Sequence, residues 1–121
     1  MAPEQSAGDA DAALQSVLTS LESSARHANL ARSRVIADAL QAAATSGLGE
    51  EQRTPAAQAA HQIAGSAGTF GHRRASRLAA ALEQYLLGVA LETADPPGLA
   101  EARLELGDLQ DDLAGGQRET G

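Results

Sequence analysis

Apolar positions in this chain recur every three or four residues, the spacing of helices that each bury one face. Five such stripes stand out. Leu14, Val17, Leu18 and Leu21 form the first, with Asp9 or Asp11 placed to cap its start and an end expected near His27. The second, Val35, Ile36, Ala39, Leu40 and Ala43, stops in the cluster Thr45-Ser46-Gly47. Glu50 to Arg53 leads to Thr54-Pro55, where threonine reads as the cap and proline as the first position of a third helix. Its core face is Ala56, Ala59, Ile63, Ser66, Ala67 and Phe70, and Gly71 suits the left-handed geometry that stops a helix. The fourth stripe, Ala75, Leu78, Leu82, Tyr85, Leu86 and Val89, runs to the turn Asp95-Pro96-Pro97-Gly98, and Leu99, Ala102, Leu106, Leu109 and Leu113 make the fifth.

No period-two alternation occurs anywhere, so the class is all-α. Short connections favour antiparallel neighbours, and the expected architecture is an antiparallel four-helix bundle with an additional N-terminal helix. One helical domain is expected over residues 9–114, between a flexible leader at 1–8 and a disordered tail at 115–121.

Composition narrows what such a bundle does. Its 121 residues are 43% hydrophobic, mainly alanine and leucine, with one Phe, one Tyr and no Trp, which makes for a modest core of closely packed helices. Without cysteine there is neither a disulfide framework nor a thiolate metal site. A net charge of −7 argues against nucleic acid, which needs a concentrated basic surface. With no signal peptide and no apolar run of spanning length, a cytoplasmic protein off the membrane is expected, as a monomer.

The candidate chemistry lies in Ala60-His61-Gln62-Ile63-Ala64-Gly65-Ser66-Ala67-Gly68-Thr69-Phe70-Gly71. At about 100° per residue, His61 shares its helix face with Ala57, Gln58, Ala64, Gly65 and Gly68, opposite the core stripe. Glycine inside a helix costs about 1 kcal/mol relative to alanine. Two beside one outward histidine indicate a surface kept bare for close approach by another molecule.

His61, Ile63, Gly65, Ser66 and Gly71, followed by the pair Leu82-Glu83, resemble the histidine-containing phosphotransfer (HPt) domains of bacterial multistep phosphorelays. The resemblance is strongest from Ala59 to Glu83. It implies a phosphocarrier that accepts and donates a phosphoryl group on His61, exchanging it with aspartates on receiver domains of response regulators or hybrid histidine kinases. It further implies that Glu83 orients the histidine by a hydrogen bond, that the receiver docks on the His61 face, and that the receiver brings the aspartate and magnesium. The family's usual lysine three residues after the histidine is Ala64 here, and the chain contains no lysine at all. Arg73, Arg74 and Arg77 are candidates to supply the missing charge. Gln58 is a second polar neighbour of His61, while His27 and His72 read as surface residues near helix ends.

Histidine suits phosphoryl exchange because its neutral ring offers one basic nitrogen while the other holds a proton and donates. Nothing in the chain suggests its own kinase activity: it has no Gly-rich nucleotide loop, no Walker signature and no acidic cluster for magnesium, so no cofactor and no metal are expected. Two other classes compete. One is a phosphorylation-independent docking or dimerisation module that uses the Ala/Gly strip. The other is a metal or small-ligand bundle built on His61 and Glu83, which lacks the paired His and Glu motifs such sites recruit.

Overall fold

A computed structural model describes the backbone of residues 2–115 and the side chains of 8–115. It contains four helices, α1 (Ala2–Thr45), α2 (Glu50–Thr69), α3 (Arg73–Gly88) and α4 (Leu99–Gly115), and no strand among the described residues. Each packs on two others, α1 on α2 and α4, and α3 on α2 and α4. Cross-helix bonds give the directions. Asn29 meets Ser66 close to the α2–α3 turn, Ser33 and Gln41 meet Gln110 and Arg103, and Ala64 meets Ser76, so neighbours run oppositely.

The separate N-terminal helix expected from the first stripe is not formed. α1 is one helix of 44 residues that passes through His27 without a break, so His27 sits mid-helix and bonds back to the Ser23 carbonyl at 3.2 Å. No glycine or proline lies between Asp9 and Ser46 to stop it. Leu14, Val17, Leu18 and Leu21 are therefore carried beyond the bundle and left exposed. The expected leader is drawn as the start of α1 from Ala2, with Met1 and the side chains of residues 2–7 outside the described set; Gly115 closes α4 and residues 116–121 lie outside it.

α2 also begins earlier than its sequence suggests. Gly49 is the N-cap, its N–H donating to the Gln52 side chain at 3.1 Å, and Glu50 and Glu51 place negative charge in the first turn. Thr54 caps nothing: its hydroxyl donates to Glu50 at 3.1 Å, and Pro55 stands inside the helix. Proline is accommodated because both it and Glu51, whose carbonyl loses its usual donor, are at the surface.

The core is nearly all alanine and leucine. Ile36, Leu40 and Ala43 of α1 meet Ala56, Ala60 and Ile63 of α2, Ala79, Leu82 and Leu86 of α3, and Leu106 and Leu109 of α4. Ser66 and Phe70, read as core positions, are only half-buried. Two polar side chains are buried on α1. Asn29 donates to Ser66 at 3.2 Å and accepts from Arg32 at 2.8 Å, while Ser33 donates to the Leu30 carbonyl and accepts from Gln110. At the far end, the α3–α4 connection is laced to the α1–α2 turn: Glu92 N–H donates to Leu48 and Asp95 N–H to Ala43. Gly47, at φ +98°, permits this, since a Cβ there would lie 2.8 Å from the Thr93 nitrogen.

Candidate functional site

α2 and α3 are joined by the short turn at Gly71, whose φ of +81° is the left-handed stop expected there. The hairpin brings the middle of α2 beside the middle of α3. Ser76 marks the register, donating to the Ala64 carbonyl at 2.8 Å. Two turns further along α3, Glu83 arrives beside His61.

His61 Nδ1 lies 3.2 Å from Glu83 Oε2 and 3.3 Å from Oε1. The histidine side chain is 75% exposed and the glutamate 22%. A ring nitrogen facing a carboxylate holds its proton and donates, so Nδ1 carries hydrogen and Nε2 keeps its lone pair. In the neutral ring the pairing favours the tautomer with its proton on Nδ1, and the unprotonated nitrogen is then Nε2 of a mostly exposed side chain.

An open groove runs from the pair toward the start of α2, lined by Glu50, Arg53, Thr54, Ala57, Gln58, His61, Glu83 and Leu87. The expected strip divides in two. Gln58, Gly65 and Gly68 are exposed with His61, whereas Ala57, 6% exposed, is sunk into the groove floor and Ala64 is half-buried against the core. Gly65 is open: a Cβ there would meet nothing within 4 Å, while at Gly68 it would touch Ser76 Oγ at 3.4 Å.

The cations fall out differently from expectation. Arg74 is turned away from His61 onto α4, 2.6 Å from Asp112 and 3.5 Å from Asp108. Arg73 and Arg77 are exposed on α3. The arginine that lines the groove with His61 is Arg53, its guanidinium 2.8 and 2.9 Å from the two Glu50 oxygens and 3.2 Å from the Leu87 carbonyl. These bonds from Arg53, with a smaller one from Thr54, hold the Glu50 carboxyl below its usual value. Arg53 was legible as the residue two helical turns before His61, but only once the helix is started at Glu50.

His72 is not an idle surface residue. It is the N-cap of α3, half-buried, with Nε2 2.6 Å from Glu22 Oε2, and so ties the α2–α3 turn to α1. No three His, Asp or Glu side chains among the described residues gather as a metal site, and no described helix is long and apolar enough to cross a membrane.

No curated protein and no solved structure gives a match to this chain. The family model of the Hpt domain matches residues 30–113, from the middle of α1 to the end of α4, and therefore includes His61, Glu83 and the whole groove. With well over half of its length matched, the chain belongs to the Hpt domain family, the phosphocarriers of phosphorelay signalling.

Proposed function

We propose that His61 is the phosphoryl acceptor and donor of this chain, exchanging the group with receiver-domain aspartates. The observation that carries the reading is the pairing of an outward Nε2 with an Nδ1 held by Glu83. In the forward step the Nε2 lone pair attacks phosphorus, the bond from phosphorus to the receiver's aspartyl oxygen breaks, and the aspartate leaves as a carboxylate. The ring gains positive charge, which the Glu83 carboxylate offsets without taking the Nδ1 proton. The reverse step returns the group by the same path. Nothing in it draws on a nucleotide, and the chain acts as a carrier without kinase machinery.

The bare surface at Gly65 and Gly68 supports the same reading, since a receiver must bring its aspartyl phosphate to within bonding distance of Nε2. Incubation with a phosphorylated receiver tests it. Label is expected on this chain, lost in acid as phosphohistidine is, and absent from His61→Gln, which stays folded because the side chain lies outside the core. Label persisting on His61→Gln overturns the assignment, and receiver binding without any label favours a phosphorylation-independent docking module.

A further inference from the structure

A phosphoryl group carries strong acceptor oxygens and about two negative charges, so a chain that holds one needs donors beside it. His61 stands in the middle of α2, where each backbone N–H is spent on the carbonyl four residues back, and the donors therefore have to be side chains. The C-terminal side of the ring offers none. Gly65 and Gly68 have no side chain, Ala64 has no polar side-chain atom, Thr69 donates to the Gly65 carbonyl and Ser76 to that of Ala64. Arg77 and Arg73 come six and ten residues before Glu83, roughly 9 and 15 Å back along α3 from the level of the ring, and Arg77 is turned about 120° from Glu83 around that helix. On the N-terminal side lies the groove, whose lining includes three donors, Arg53, Thr54 and Gln58. Two of these are committed: Arg53 to both oxygens of Glu50 and to the Leu87 carbonyl, and Thr54 to Glu50. Gln58, exposed one turn before His61, makes no hydrogen bond among the described residues.

We propose that the Gln58 side-chain amide holds the phosphoryl group on His61 Nε2, its NH2 donating to a phosphoryl oxygen from the side of the ring opposite to Ala64. The inference rests on His61 being the acceptor. Residues three apart on a helix are neighbours, and side chains on a helix lean toward its N-terminus, which carries the imidazole of His61 toward Gln58 and away from Gly65. Both side chains line the same groove. In the loose transition state of phosphoryl loss, electrons on the phosphoryl oxygens push the leaving nitrogen away, so a donor that draws on those oxygens slows the loss. A neutral donor does this with little dependence on ionic strength, unlike the charge of Arg53 further along the groove. Gln58 leaves the surface at Gly65 and Gly68 clear for the receiver.

Phosphoramidate, a small donor that needs no receiver, tests the proposal on the full chain: Nε2 attacks phosphorus, the donor's phosphorus–nitrogen bond breaks and ammonia leaves. With the chain labelled in nitrogen, the side-chain amide signal of Gln58 is expected to shift on phosphorylation and to stay in place in His61→Gln treated alike. Gln58→Ala is expected to shorten the phosphohistidine lifetime about threefold to tenfold, by the same factor at low and high salt, with circular dichroism retained because the side chain is exposed. Gln58→Glu, of equal length but without a donor, should shorten it further, and Gln58→Lys should restore it. A phosphorylated His61 beside an unmoved Gln58 amide, or an unchanged lifetime in Gln58→Ala, overturns the assignment to Gln58 and leaves the acceptor standing. A His61 that takes no phosphoryl group from phosphoramidate or from a phosphorylated receiver overturns both.

Discussion

Glu83 holds His61 from the neighbouring helix, with the carboxylate mostly buried and the imidazole mostly exposed. The anchored partner is thus the acid, and the ring's orientation follows from the packing of α3 on α2. Because both groups meet at the surface, the pair contributes at most about 1 kcal/mol to folding, and its consequence is kinetic. Glu83→Ala is expected to leave the bundle folded while slowing phosphotransfer roughly tenfold or more, as the ring loses its fixed tautomer. Glu83→Gln, which still accepts from Nδ1, should fall between the two. Nitrogen chemical shifts of His61 check the cause: proton occupancy should leave Nδ1 in the alanine variant and largely stay there in the glutamine one.

Gly65→Leu separates docking from folding. The site is exposed and empty around a new Cβ, and glycine is a poor helix former, so stability should be unchanged or rise by about 0.5–1 kcal/mol. Transfer from a receiver should nevertheless fall steeply, because the leucine occupies space that the incoming domain needs. Thermal unfolding and transfer rates measured on one sample decide it, and normal transfer would make Gly65 irrelevant to docking.

Arg53 and Arg74 are expected to respond oppositely. Arg53→Ala removes the groove's cation and should shorten the phosphohistidine lifetime or shift the transfer equilibrium away from this chain, by about 1 kcal/mol or less and more weakly at high salt. Arg74→Ala, which breaks the contact with Asp112 on α4, should reduce stability slightly and leave the lifetime alone. Ala64→Lys would introduce the charge by another route, with its stem lying over a half-buried position and its ammonium reaching solvent. It is expected to lengthen the lifetime.

The Glu50 carboxyl gives a pH readout of the groove. Its folded value lies below the usual 4.5, with Arg53 the principal cause. A group depressed in this way adds stability that is present above its unfolded value and lost as pH falls through the folded one. Acidification below the ordinary carboxylate range should therefore release Arg53 from Glu50, and Arg53→Ala should return the Glu50 titration to the usual region. Carboxyl carbon shifts followed across that range test both statements.

Much of this is legible in the sequence. The stripe of α4 is buried as its spacing requires, and so is that of α3 except for Leu78 and Tyr85, which are half-buried at its edge; Ala56, Ala59, Ile63 and Ala67 of α2 are buried too, and the stop at Gly71 falls where a left-handed residue is needed. The continuity of α1 is not. Between Leu21 and Val35 the core-facing positions include Asn29 and Ser33, so hydrophobic periodicity fades and reads as a boundary, although the backbone has no reason to stop. The start of α2 is masked by Thr54-Pro55, which carries a strong local start signal, while the working cap is Gly49, whose N–H donates to the Gln52 side chain. That one misplaced turn hid Arg53. Ala57 was misassigned for a different reason: an angle on a helical wheel says nothing of how close the next helix comes, and alanine lets it come close.

Smallness has a mechanical cost that Asn29 and Ser33 offset. An interface of alanines is smooth, with no bulky knobs to resist one helix gliding past another, so neighbouring vertical settings differ little in burial. The bonds from Asn29 to Ser66 and from Gln110 to Ser33 act as detents, since a glide of one turn would strand these polar groups in the interior. They set the height of α2 and α4 against α1, while the Gly71 turn and the bond from Ser76 to Ala64 set α3 against α2. His61 and Glu83 therefore meet on a hairpin that is itself seated at one height by two polar side chains of α1, the helix diagonal to α3.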